Sequence, residues 1–241
     1  MMMERSILHR SIPAILVALL IAGTLFLAFV EIGFGDPRVD DTDSVSSRYI
    51  ANGTEETGSS NLVTSVVVNY RGFDTLGEVT VLFLAAAGVS AMISLLPEEE
   101  KRKKGPKPSL IMTQGGMLAI PVIVLFGTYI FLHGHLSPGG GFQGGVVIAS
   151  AFLLYLLVKP GAKVSHSGLS LSESIAGLAF IGIGLVGLAV SGIFLDNVIE
   201  GFGNIGQLVS GGLIPLIYVA IGIKVGSEMS GLVTKMRGDA L

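Results

Sequence analysis

Arg71-Gly72-Phe73-Asp74-Thr75-Leu76-Gly77-Glu78 places one guanidinium and two carboxylates at the mouth of an apolar run that reaches Leu96. Asp74 and Glu78 are four residues apart, so on a helix both leave from one face. Carboxylates so placed can bind and release a proton or a cation. Within hydrocarbon an ionisable side chain is rare, and it marks an ion path or a buried partner. The plainer reading is a helix start, with Asp74 as N-cap and Glu78 in the first turn, both favoured by the helix dipole. That suffices for Asp74. Glu78 lies about a turn deeper and needs a cavity or a partner, supplied either by Arg71 or by a different chain. A transient sodium ion near Glu78 is the one metal the pattern allows for.

Other residues with chemical potential carry less. His133 and His135 are two apart, so a helix would turn them to different sides. At a membrane boundary they serve interfacial hydrogen bonding or, for His133 as a secondary candidate, a proton relay, since imidazole titrates near neutrality. The four histidines form no metal set by spacing, and with no cysteine the chain can hold neither a disulfide nor a thiolate zinc or iron–sulfur site. Redox chemistry would belong to a partner, and no cofactor is expected. Gly139 to Gly144 fits G-x-G-x-x-G, but that fingerprint cradles a pyrophosphate only between a strand and a helix, with an acidic residue downstream. Neither condition holds. The same residues read better as overlapping G-x-x-x-G pairs, Gly140 with Gly144 and Gly141 with Gly145, and Gly222 and Gly226 repeat the spacing. Such seams admit a close neighbour, expected here from other chains. Lys224 and Glu228, four apart at the expected exit of the last helix, read as a snorkelling lysine and a surface ion pair.

These residues must be positioned by membrane helices. The 241 residues are 50% hydrophobic and 14% charged with mean hydropathy +0.73, which indicates an integral membrane protein of all-α class. A net charge of −3 and the lack of basic clusters interleaved with aromatics exclude nucleic acid as a partner. Ser11 to Val30 is long enough to cross a bilayer and is read as a span rather than a cleaved signal. Glu31 to Ser60 has the make-up of a solvated acidic loop and includes the Asn52-Gly53-Thr54 acceptor tripeptide. Asn61 to Tyr70 is too short to span and reads as interfacial or re-entrant. Further spans are expected over 75–96, 110–132 with a kink at Pro121, a run ending at Val158, about 174–195, and 207–223. That makes about six, separated after Pro97 by a charged linker over 98–108 with Glu98 to Glu100 and Lys101 to Lys104. With the N-terminus inside, only Arg38, Arg48 and Arg71 of the 15 basic residues fall outside, so both ends are expected to be cytoplasmic.

Two signatures together carry a resemblance: Arg71 to Glu78 followed by a span, and Pro138-Gly139-Gly140-Gly141-Phe142-Gln143-Gly144-Gly145 between two spans. The chain resembles the multisubunit Mrp-type sodium/proton antiporters and the related membrane modules of archaeal membrane-bound hydrogenases and sulfane reductases. Residues 109–241 resemble the four-helix B subunit, and residues 1–97 resemble the C-terminal end of the A subunit. The resemblance implies a multi-pass component of the cell membrane that performs no catalysis alone and contributes to sodium/proton translocation, within a redox-driven complex or a stand-alone antiporter. It implies A-, C-, D-, E-, F- and G-like partner subunits and a peripheral hydrogenase or sulfane reductase arm. Glu78 matches the family's intramembrane carboxylate, with Asp74 and Arg71 tuning it. A purely structural scaffold is the rival expectation.

Overall fold

The computed structural model describes residues 2–31, 44–97, 107–162, 164–199 and 202–237. The expected linker over 98–108 lies outside the described residues except for its last two positions, and so does the 32–43 part of the acidic loop. The chain divides into two compact units, residues 1–47 and 48–241. The first is dominated by helix α1 (Met2–Glu31), which carries an apolar stretch over Ile15–Ala28.

The second unit is a helical bundle. Helix α2 (Val45–Thr57) occupies sequence expected to be loop, because tertiary contacts organise it: Tyr49 stacks on Tyr70 with ring centroids 4.3 Å apart, and Thr57 Oγ1 lies 2.7 Å from Ser65 Oγ. Asn61 caps a single turn, Leu62–Thr64, that continues into a π-helical turn, Ser65–Tyr70. Five helices then follow that are long and apolar enough to cross a membrane: α3 (Gly72–Ser94), α4 (Leu110–Leu132), α5 (Gly141–Val158), α6 (His166–Ser191) and α7 (Ile214–Met236). Together with the apolar stretch of α1 they account for the six expected spans, although the bounds of the last two move.

Helix α4 starts where Ser109 accepts from the Met112 amide, and it runs through Pro121 without a break. Helix α6 begins at His166 rather than near Ser174, since Ser165 caps it by accepting from the Gly168 amide. It ends at Gly192, whose φ of 82° supplies the left-handed C-cap. Leu195 just beyond also has positive φ, 62°, and is held there by burial against Gly72 at the start of α3. Helix α7 begins seven residues later than the apolar run suggests. The chain turns at Gly211 and Gly212, both with positive φ, and Pro215 sits in the first turn, where its missing N–H costs nothing.

Helix α7 is the centre of the bundle. Its most apolar window is 56% buried, against 6% for α3, and it packs against α3, α4, α5 and α6. Val68, Val79, Phe180, Leu195, Ile214, Ile217, Tyr218 and Ile221 form the core around it.

Candidate functional site

The opening motif sits where the π-helical turn hands over to α3. Thr75 Oγ1 donates to the Val67 carbonyl at 2.6 Å, and the Arg71 amide donates to the Val66 carbonyl, so the two segments are locked together. The N-cap is Arg71 and not Asp74, and no side chain caps the helix. Asp74 instead lies in the first turn, where the helix dipole favours it. Arg71 and Asp74 form an ion pair at 2.5 Å, with their side chains 62% and 53% exposed. Glu78, the next acid along, is exposed on α3 and makes no ion pair or hydrogen bond with the described residues, so Arg71 is not its partner.

The glycine-rich stretch forms the same end of the bundle. Gly134, in the loop between α4 and α5, is met by three side chains from the first half of the chain or from α7. Asn61 Nδ2 and Thr64 Oγ1 donate to its carbonyl at 2.9 and 2.6 Å, and Thr64 Oγ1 also lies 2.9 Å from Tyr218 Oη. Ser59 Oγ donates to the His135 carbonyl at 2.9 Å. Asn197 Nδ2 donates to the Thr57 and Gly211 carbonyls, and Asn197 Oδ1 accepts from the Leu213 amide. Burial lowers the pKa of His135, so its fully buried ring is neutral near pH 7. His133 stands apart from these residues, stacked on Tyr129 with its Nδ1 3.2 Å from the Tyr129 carbonyl.

Gly141, Gly144 and Gly145 face helices of this chain. A Cβ on Gly141 would come within 2.6 Å of Ile221, one on Gly144 within 2.6 Å of the Gly127 carbonyl, and one on Gly145 within 2.8 Å of the Gly222 carbonyl. A Cβ on Gly222 would meet Phe131 at 2.8 Å, and Gly226 lies across from Gly145. Gly140 turns the chain into α5 with φ 154°. The small-residue seam therefore joins α5 to α4 and α7 within this chain, not to a neighbouring one.

The largest departure from the sequence reading is at the other end of the bundle. Lys224 and Glu228 are buried, 9% and 5% exposed, so neither snorkels and their pair is not a surface one. Lys224 Nζ donates to Glu228 Oε2 at 2.8 Å and lies 3.8 Å from Glu173 Oε1 of α6, with the Phe83 ring of α3 5.5 Å away. Reading the last span as ending at Ile223 put both charges at the membrane exit. With α7 reaching Met236, they fall two to three turns inside it. The readable signal was the i, i+4 spacing combined with a helix long enough to continue past it.

Comparison with known proteins agrees with this architecture. Residues 111–231 match the family described as a domain related to the MnhB subunit of the Na+/H+ antiporter, and residues 10–103 match the family described as the E subunit of MBH. A protein of uncharacterised function from Methanocaldococcus jannaschii is 32% identical over 70% of this chain and 74% of its own length. A probable K+/H+ antiporter A/B subunit from Rhizobium meliloti is 28% identical over 46% of this chain, which is 14% of the relative. Among solved structures, a chain of the membrane-bound sulfane sulfur reductase, an archaeal respiratory membrane complex, is 45% identical and superposes with a TM-score of 0.75 over 94% of this chain and 97% of its own. A chain of the Mrp complex from Dietzia sp. shares the fold at a TM-score of 0.69, with 24% identity over 96% of this chain and 26% of its own.

Proposed function

We propose, for a chain that belongs to the family described as the domain related to the MnhB subunit of the Na+/H+ antiporter, a role in coupled sodium and proton movement inside a redox-driven respiratory assembly. The chain is an Mrp antiporter-like membrane subunit. Its role there is transport, and redox chemistry belongs to other subunits. The match over nearly the full length of a sulfane reductase chain supports the redox-driven setting, with the other Mrp-like subunits and a peripheral reductase or hydrogenase arm as partners. The spans of the two matching families support a division into an A-like part over 1–97, a linker over 98–108 and a B-like part over 109–241. The basic-residue count supports cytoplasmic termini in the cell membrane, with the Gly134 end outside.

Glu78 carries this reading. It is an exposed carboxylate on an apolar helix, unpaired among the described residues, and facing lipid it would be costly. A neighbouring chain of the assembly therefore covers it, and between the two a sodium ion or proton is bound and released, with Asp74 and Arg71 setting the local field. His133 is the secondary relay group. The test is exchange in inverted vesicles: an assembled complex with Glu78→Gln should lose sodium/proton exchange, and normal exchange sinks the role. The rival scaffold reading rests on the glycine seam. It expects Gly144→Leu to block assembly while Glu78→Gln leaves transport intact.

A further inference from the structure

At the end of the bundle away from Gly134, a cavity of about 170 Å³ opens between α3, α6 and α7, lined among others by Phe83, Ser90, His166, Glu173, Ser227 and Glu228. Two buried polar atoms of its lining have no hydrogen-bond partner among the described residues, Glu228 Oε1 and His166 Nε2. Helix ends here are not the source of the polarity: Glu228 lies eight residues before the end of α7 and Glu173 seven after the start of α6.

The charges do not balance. Glu173 and Glu228 bring two carboxylates to a single ammonium, that of Lys224, which is bonded to Glu228 Oε2 and 3.8 Å from Glu173. Facing the pair from α6 is His166. From α7 come Lys224 and, exposed at the rim, Lys235, while α3 contributes only Phe83, Ala86, Ala87 and Ser90. On α5, Tyr155 borders an adjoining apolar cavity. With Lys235 set aside because it stands at the exposed rim, one negative charge is in excess inside the bundle, where an uncompensated ion is strongly penalised. A metal ion is a poor answer. Lys224 already occupies the cationic position and would repel it, and no group of three or more acidic, histidine or cysteine side chains is gathered to hold one among the described residues.

We propose that Glu173 and Glu228 share one exchangeable proton beside Lys224, making this cavity a second, inner proton station of the chain. The proposal rests on the reading of the chain as part of an ion path. On loading, a hydronium in the cavity transfers its proton to a carboxylate oxygen, a new O–H bond forms, a water molecule is left, and the excess charge is removed. On unloading, that O–H bond breaks, the proton returns to cavity water, and the carboxylate charge is restored. The unpartnered Glu228 Oε1 is the oxygen free to take the proton.

The test is infrared difference spectroscopy of the complete complex in liposomes, stepped in pH with and without sodium. The wild type should show a protonated-carboxyl band that titrates reversibly and does not respond to sodium at fixed pH. Glu173→Gln and Glu228→Gln should each abolish it, whereas Glu78→Gln should keep it. Co-purification of the other subunits checks assembly, and if Glu228→Gln fails that check, Glu173→Gln, whose side chain is only partly buried, decides alone. A spectrum identical in wild type and the assembled Glu173→Gln and Glu228→Gln variants overturns the proposal, and sodium displacement of the band that persists in Glu78→Gln assigns the site to a metal cation and overturns it too. Exchange that persists in Glu78→Gln would defeat the outer carboxylate's role without altering the infrared result, so the two failures are distinguishable.

Discussion

The two ends of the bundle are both polar and both buried, yet they are built on opposite rules. At the Gly134 end the buried hydrogen-bonding groups are neutral, namely Thr57, Ser59, Thr64, Asn197 and Tyr218, and most of their bonds go to backbone carbonyls that a loop would otherwise leave unpaired. At the Glu173 end the groups are charged, pair side chain to side chain, and leave an oxygen over. Satisfied neutral networks fix a structure. A charged group with spare capacity is where a proton can come and go. Polarity inside the bundle is therefore no guide by itself to function, and neither is a spare atom, since buried His135 Nδ1 at the Gly134 end also lacks a partner among the described residues; a spare atom on a charged group is what sets the Glu173 end apart.

Removing a partner at the charged end should have the largest effect. Glu228→Ala leaves Lys224 buried beside only a more distant carboxylate, and the expected loss is roughly 3–5 kcal/mol, read as a lower melting temperature and lower yield of the complex in detergent. If the loss is no larger than for a surface pair, the contrast between the ends fails. Gly144→Ala presses a methyl group on the Gly127 carbonyl, and overpacking of this kind costs about 1–3 kcal/mol in the same assay. At the neutral end, Thr64→Val strips the Gly134 carbonyl and Tyr218 of a shared hydroxyl, at a cost of roughly 1–3 kcal/mol, but transport in the assembled complex should be unchanged. A transport defect there would assign the neutral hydrogen-bond network a working role. Arg71→Ala removes an exposed ion pair, worth about 0–1 kcal/mol, so unfolding should hardly move.

A pH measurement sharpens the distinction outside the spans. Tyr70 Oη donates to Glu56 Oε2 at 2.5 Å. Burial first and this carboxylate second push the Tyr70 pKa up to about 12, while the same bond holds Glu56 below the usual carboxylate value. The phenol's raised pKa means that its contribution to stability is complete below its unfolded value near 10 and is lost as pH rises through 12. The carboxylate's lowered pKa means that its contribution is present above 4.5 and is lost as pH falls through the folded value. Ultraviolet titration should show Tyr70 ionising at lower pH in Glu56→Gln, and an unmoved titration would remove the bond from the account.

The class of fold was legible in apolar runs, and α4 was readable almost to the residue because Ser109 and His133 bracket it. Hydropathy trims helices at their polar turns, however, and that is where this chain keeps its inner charges. The first turns of α6 carry Glu173, and the last turns of α7 carry Glu228, so both were left at or beyond the predicted boundaries. Helix α2 is illegible for another reason: its composition is that of a loop, and it is held by Tyr70 and Ser65 of the π-helical turn that follows it. Arg71, Asp74 and Glu78 were visible as chemistry, but that Arg71 pairs with Asp74, and that Glu78 has no ion-pair or hydrogen-bond partner among the described residues, are facts of side-chain placement.

The central place of α7 bears on how the protein is made. It follows in sequence all four of the helices it packs against, and segments enter the membrane in the order of synthesis. Until it arrives, α3, α4, α5 and α6 have no hub to close on, and Glu173 waits in the bilayer without its ammonium. The insertion of α7 is thus the step that completes the bundle, delivering Lys224 and Glu228 together, already paired on one face of the helix, to a carboxylate in place before them.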